Sequence, residues 1–429
     1  MKKVCILFLF SILFLTACSS DSDESDQAGG AKGKDEIIVW AWDPNFNIKA
    51  MELAKQVYAS ENADVTIDII ENAQDDIVQK LNTSLSSGTT KGLPNIVLIE
   101  DYRAQSFLQA YPDAFHKITG SFNVDDFAPY KMSPTSLEGE NYGLPFDTGV
   151  AGLYVRTDYL EESGYTIDDL NNADWNKYIE IGKEIKKVTG KQLLTLDPND
   201  LGQIRMMIQS AGSWYTKDDG VTPDIAGNEA LKKAFQVYKQ LLDADIAKPV
   251  SDWSQFLAAF NNGDVASVPT GNWITPSVKA EASQSENWAV LPFPKLPDIE
   301  SSVNATNLGG SSWYVLDVAG KEKAVDFLVA TFGSNEDFYQ DLVTEIGAIG
   351  TYAPAIEGEA YKAEDNYFNG QKIIADFSNW TKQIPQVNYG MHTYAIEDII
   401  VVAMQDYLNG KELDKVLEDA QKEAEAQLQ

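Results

Sequence analysis

The sequence predicts an α/β fold of doubly wound lobes, and three observations lead there. Apolar segments of strand and helix period alternate from Glu36 onward. The chain is long enough, at 429 residues with 44% apolar content, to bury two or three separate cores. Acids, amides and aromatic residues recur immediately after the apolar strands, where open α/β sheets place their ligands.

Glu36 to Ala41 (EIIVWA) reads as a buried strand. A helix over Ile48 to Tyr58 follows, with Ile48, Met51, Leu53, Ala54, Val57 and Tyr58 at helical spacing behind Asn47 as its cap. Val65 to Ile70 is the next strand, Asp75 to Leu85 a helix, Asn95 to Ile99 a strand introduced by Leu93-Pro94, and Tyr102 to Ala110 a short helix. Strand and helix in strict alternation imply a parallel sheet. The middle continues with helices at Trp175 to Val188, Leu201 to Ser210, Glu229 to Asp245 and Trp253 to Asn262. Its strands fall at Leu193 to Leu196 and Ala266 to Val268, with a later one at Ser312 to Leu316. Helices dominate from Lys321, ending in Leu413 to Leu428, whose charged face marks a surface helix. No internal repeat is present.

The first thirty-five residues carry a different signal. Lys2 and Lys3 precede an apolar run from Val4 to Leu15, then Leu15-Thr-Ala-Cys18. About twelve apolar residues suit an export leader and fall short of the ~20 that cross a bilayer. Leu-Thr-Ala-Cys resembles the bacterial lipobox, which implies cleavage after residue 17 and a diacylglycerol on Cys18, with two acyl chains giving a stable anchor. The competing reading is an ordinary cleaved leader with an incidental cysteine. Cys5 leaves with the leader, so no disulfide is expected. Residues 18–35 form a tether poor in large apolar residues, expected to be disordered. The chain is thus expected to be lipid-anchored on the outer face of the cytoplasmic membrane.

A formal charge of -32 argues against nucleic acid, whose phosphates would be repelled. Catalytic and cofactor signatures are missing. There is no Gly-x-Ser-x-Gly elbow, Walker loop or Gly-x-Gly-x-x-Gly turn after a strand, and the only histidines, His116 and His392, have no ligand cluster around them. No metal, cofactor or catalytic residue is therefore expected. Paired carboxylates near aromatic rings would also describe a glycosidase, so that reading stays as an alternative.

A sugar offers adjacent hydroxyls and a flat C–H face, and the strand ends supply both complements. Asp43, Asn45, Glu100, Asp101 and Asp147 can accept hydrogen bonds, Arg103 can donate in a fork, and Trp42, Tyr102 and Trp273 offer faces. An acid after a strand is also a common helix cap, which competes for Asp43 and Asp101. Trp40 and Trp42 would share a strand face, with Trp40 read as core and Trp42 as cleft. Trp214 and Trp253 are further candidates for which a core role competes.

At these residues the chain resembles the extracellular solute-binding proteins of carbohydrate ABC importers, the family that includes maltodextrin-binding proteins. The segments carrying the likeness are Trp40-Ala-Trp-Asp-Pro-Asn-Phe-Asn47, Leu93-Pro-Asn-Ile-Val97, Tyr142-Gly-Leu-Pro-Phe-Asp147, Phe260-Asn-Asn-Gly-Asp264 before Gly271-Asn-Trp273, Leu291-Pro-Phe-Pro294 and Gly309-Gly-Ser-Ser-Trp313. The closing stretch from Pro385-Gln386 through Tyr394-Ala-Ile396 to Leu417-Glu-Asp-Ala-Gln421 completes the order. The resemblance implies a two-lobe periplasmic-binding-protein fold of class II type, with a ligand cleft between the lobes. It also implies lobes discontinuous in sequence, over 36–146 with 307–352, and 147–306 with 353–429. It places a stacking role on Trp273 and polar contacts on Asp43, Asn45, Asp101 and Asp147, with Gly310 beside them. Trp42-Asp43-Pro44-Asn45 looks closest to the branch handling lactose, galacto-oligosaccharides or arabinose-containing sugars. Where maltodextrin-binding proteins carry a tryptophan near the C-terminus this chain has His392-Thr393-Tyr394, so that platform is lost or moved, to Trp380 or Tyr389. The implied function is capture of a sugar or oligosaccharide, as a monomer without turnover, for ABC permease subunits driven by their ATPase. A receptor for a peptide or polyamine is the other alternative.

Overall fold

The computed structural model describes residues 36–428, so the leader, Cys18 and the tether lie outside the described residues. The first of two main sheets orders its strands Thr66–Glu71, Glu36–Ala41, Ile96–Glu100, Ser311–Val315, Gly143–Pro145. Its first three strands in sequence run parallel, linked by the helices Asn47–Ala59 and Gln74–Ser86, as the alternating pattern requires. A wholly parallel sheet does not form. Ser311–Val315 pairs antiparallel with both Ile96–Glu100 and Gly143–Pro145. It enters from the other lobe and not through a helix, so no crossover rule sets its direction.

The second sheet is antiparallel at its centre. Val150–Arg156, buried at every position, lies between Ser267–Gly271 and Trp288–Pro292, and Thr306–Asn307 also pairs with it. Parallel winding survives at one edge, where Leu194–Leu196 pairs with Ala247–Pro249 and Gln192 bridges Val265. The second lobe is thus doubly wound only there.

Local signals set the helices. Trp175–Thr189 starts behind Asp174, whose carboxylate accepts from Lys177 N at 2.9 Å, and ends at Gly190 with φ +72°. Asn228 caps Glu229–Asp243 through Leu231 N at 3.0 Å, and Asp252 caps Trp253–Asn261 through Gln255 N at 2.9 Å. Each such cap contributes about 1 kcal/mol. Asn47 behaves differently from the expectation: it is the first helical residue, buried, and no side chain caps that helix. The chain instead reverses at Asp43, in the left-handed region at φ +59°, with Asn45 N donating to its carboxylate at 3.0 Å. Aspartate tolerates that region because its short side chain can bond locally, as it does here.

The chain crosses between the sheets at Phe146–Gly149 and at Leu308–Gly310, and a third segment, 349–352, lies against the first. Leu308 N donates to Gly149 O at 2.8 Å, and Thr148 N to Ile349 O at 3.1 Å. A Cβ on Gly149 would stand 2.6 Å from Gly310 N, so these crossings can touch only through glycine. This packed seam forms the floor of the space between the lobes.

Candidate functional site: a cavity between the lobes

A cavity of about 340 Å³ lies above the crossings. Strand ends of the first lobe supply Trp42, Asp43 and Glu100, and the crossing segments supply Asp147 and Gly310. The second lobe supplies Trp253 and Trp273. The structure therefore brings seven of the candidate residues to one cavity. Trp40, at 8% exposure, stays in the core, while Trp42 is half-buried on the cavity wall.

Two anchors shape this wall. Asp147 is buried, and one carboxylate oxygen accepts both Ser311 N at 2.8 Å and Ser311 Oγ at 2.6 Å, tying one crossing to the other. Trp273 folds back over its own strand end, its indole N–H donating to Leu308 O at 2.9 Å. A Cβ on Gly271 would sit 2.2 Å from that indole nitrogen, so Gly271 is what lets the ring lie there. Trp253 stands beside it, centroids 5.7 Å apart at 39°, and is 53% exposed.

Five candidates do not line the cavity. Asn45 is exposed in the Asp43 turn. Asp101 caps nothing. It is buried behind the wall, paired with Lys131 Nζ, and accepts from Ser312 Oγ at 2.9 Å. Burial pushes its carboxyl up to about 6, with Lys131 and Ser312 holding it below where burial alone would place it. Tyr102 and Trp214, both buried, stack at 5.4 Å and 26°, and Tyr389 closes on both at 4.8 and 4.7 Å. Trp214 also donates to Thr393 Oγ1 at 3.0 Å, so this cluster welds the helix Asp101–Ala110 of the first lobe to the second lobe. Arg103 lies with its guanidinium 3.8 Å over the Tyr394 ring, and Tyr394 donates its hydroxyl to Glu100 at 2.5 Å. Neither Trp380 nor Tyr389 supplies the displaced platform. Trp380 packs on Phe377, and Tyr389 is in the buried cluster.

The site also holds residues that sequence reasoning passed over. Asp200 and Arg205 line the cavity, and Arg205 donates to both oxygens of Glu397 at 2.8 and 2.7 Å and to Asp200 at 3.1 Å. Burial opposes the charge on this guanidinium, yet the two carboxylates hold it well above its ordinary range. Gln74 reaches the wall from the helix after Thr66–Glu71. Asp200 and Gln74 each follow a strand, so the rule that found Asp43 would have found them. Arg205 sits inside an apolar helix and carried no such signal. Chemically, the cavity offers carboxylates already oriented by protein donors, one fixed guanidinium and two adjacent indoles. Among the described residues no cluster of metal-ligating groups occurs, and no helix is long and apolar enough to cross a membrane.

Residues 53–369 match the family described as bacterial extracellular solute-binding protein. The chain is 44% identical over 395 residues to a lactose-binding protein of Rhizobium radiobacter, covering 92% of this chain and 93% of that one. It is 24% identical over 353 residues to an arabinooligosaccharide-binding protein of Bacillus subtilis (strain 168), covering 78% of each. Its fold superposes on the GacH receptor of Streptomyces glaucescens GLA.O, solved unliganded and with acarbose, with a TM-score of 0.75 at 16% identity, covering 92% of this chain and 99% of that one. With its two lobes, its crossing segments and its cavity between them, this chain belongs to the bacterial extracellular solute-binding protein family.

Proposed function

We propose that the chain is the substrate-binding component of an ABC importer and captures a β-galactoside-type sugar in the cavity between its lobes. The observation that carries this reading is the meeting of Trp273 and Trp253 from one lobe with Asp43, Glu100 and Asp147 around the other side. Indole faces suit the C–H face of a hexose, each contributing about 0.5–1.5 kcal/mol beyond area burial. The carboxylates accept from paired hydroxyls. The identity to a lactose-binding protein along nearly the whole chain makes lactose the first ligand to try. A polyamine ammonium could also lie on an indole face, but the fixed Arg205 guanidinium in the same cavity would repel it.

Capture occurs without turnover. Asp147 is committed to Ser311, Asp200 to Arg205 and Glu100 to Tyr394, and Asp43 is turned by Asn45 N, so the cavity acids serve as oriented acceptors with no pair of them left free of protein donors. A sugar touched by both lobes favours the closed form only to the extent that it binds that form better than the open one. Membrane permease subunits, with their ATPase behind them, then receive the ligand from the monomer. The leader and Leu15-Thr-Ala-Cys18 support anchoring by a diacylglycerol on Cys18, outside the cytoplasmic membrane.

Calorimetry with lactose tests the central reading: micromolar or tighter binding is expected, and no heat with lactose or arabino-oligosaccharides would remove it. Lactose recovered uncut after prolonged incubation separates a receptor from a glycosidase. Cys18→Ser should move the protein from the membrane to the medium.

A further inference from the structure

Among the residues lining the cavity between the lobes, Arg205 alone carries a positive charge. An arginine in a sugar cavity ordinarily marks an acidic ligand, because its planar fork matches a carboxylate with two parallel hydrogen bonds. This fork is already occupied. Nη1 donates to both oxygens of Glu397, at 2.8 and 2.7 Å, Nη2 donates to Asp200 at 3.1 Å, and Nε is buried without a partner among the described residues. We infer that the cavity takes sugars without an acidic group and turns away their acidic counterparts, and that Glu397 sets this preference by keeping the Arg205 fork from the ligand. The inference rests on the sugar reading of this cavity.

The acceptors in the cavity are arranged the opposite way. Asp43, Glu100, Asp147 and Asp200 each give one oxygen to protein donors and leave the other without any among the described residues. Asp43 takes Asn45 N on Oδ1, Asp147 takes Ser311 N and Oγ on Oδ1, Asp200 takes Gly202 N and Arg205 on Oδ1, and Glu100 takes Tyr394 and Gln74 on Oε2. The second oxygens of Asp147 and Glu100 are not sealed in protein, although Asp147 as a whole is buried. Half-used carboxylates of this kind accept from sugar hydroxyls and repel an anion placed among them. An acidic sugar would face all four of them while the one cation able to offset the charge is held elsewhere.

Glu397 is the residue on which that hold depends. It lies on the helix Thr393–Leu408, is 6% exposed and lines no part of the cavity. Its two oxygens accept from nothing but Arg205 among the described residues. Asp200, at the other end of the fork, has a largely exposed side chain and takes a single bond from the guanidinium. A buried ion pair resists breaking far more than one facing water. Glu397 is thus a positioning residue: it touches Arg205 and not the sugar.

The test is calorimetry on the full-length protein in detergent at pH 7. The probes are lactose and its two uronic counterparts, in which the C6 alcohol of one ring or the other is oxidised to a carboxylate. In the unaltered protein both acids should bind more than about tenfold more weakly than lactose. Glu397→Gln, which leaves Nη1 one acceptor in place of two, should raise the affinity for at least one acid about tenfold in absolute terms. Loss of a structural contact alone would weaken all three probes. Glu397→Gln combined with Arg205→Gln should lose the gain, because the guanidinium that answers the acid is gone. Where Glu397→Gln does not fold, Asp200→Asn decides: at an exposed position where folding is not at stake, it frees the other end of the fork and should raise acid affinity only while Arg205 is present. An acid that the unaltered protein binds as tightly as lactose overturns the inference. So do a folded variant with no gain and a gain that persists without Arg205. No heat with lactose in the unaltered protein removes the sugar reading and this inference with it, whereas lactose bound normally with any of those results removes this inference alone.

Discussion

The two sides of the cleft use aromatic residues in opposite ways. On the Glu100 side, Tyr102, Trp214 and Tyr389 pack face and edge against one another across the lobes, and the Tyr394 hydroxyl is satisfied by Glu100. On the Trp273 side, two indoles stand together with one of them half exposed. The same residue type thus serves cohesion on one side and recognition on the other. What distinguishes them is whether the ring has already been covered by protein.

Breaking that comparison gives its predictions. Trp214→Ala should cost about 3–5 kcal/mol of stability, the usual range for deleting a fully buried large ring, read as a shift in denaturation midpoint. Asp101→Asn should cost less, about 1–3 kcal/mol, because the amide oxygen can still accept from Lys131 Nζ while the second acceptor, which takes the Ser312 Oγ hydrogen bond, is lost. Asp101→Asn combined with Lys131→Met should recover most of that loss, and a double variant no better than the single would show that the pair does not act as a unit. On the open side, Trp273→Ala should lower sugar affinity by about 1–3 kcal/mol in calorimetry, combining lost stacking with lost apolar contact. Trp253→Ala should change stability by no more than about 0.5 kcal/mol while weakening ligand binding, since half its surface already faces solvent. Tyr394→Phe, which removes one hydrogen bond between the lobes, should have an effect of about 0.5–1.5 kcal/mol on stability and little on the sugar stacked at the far side. Equal stability losses for Trp214→Ala and Trp253→Ala would dissolve the distinction between the two sides.

The pH response sharpens the Asp101 side of it. Its carboxyl titrates near 6 in the fold and near the ordinary ~4 when unfolded. The folded state therefore takes up a proton first as pH falls, so this group favours folding progressively from about pH 7 to pH 4. A denaturation series compared with Asp101→Asn, which lacks the titration, should show that contribution as a difference in slope over the same window.

Much of the architecture was readable locally. Strands such as Glu36–Ala41 and helices such as Trp175–Thr189 arise from apolar periodicity and from caps within four residues, Asp174 to Lys177 or Asn228 to Leu231. The positions of Asp43 and Trp273 at strand ends followed from the same periodicity, because a sheet presents its ligand side there. The antiparallel centre of the second lobe was not readable, since Ser267–Gly271 and Trp288–Pro292 meet Val150–Arg156 from over a hundred residues away. The sequence alone thus determined which segments are strand or helix, where the strand ends fall, and that acids and indoles gather at them. Tertiary structure decided which of those side chains face the cavity. Trp214 and Trp253 look alike in sequence, yet one is covered by Tyr102 and Tyr389 and the other is left half exposed. Asp101 is withdrawn by a lysine 30 residues away, and Arg205 is aimed by Glu397 192 residues away. The physical reason is range: periodicity and capping act over a single helical turn, whereas burial and ion pairing are fixed only once distant segments are packed together.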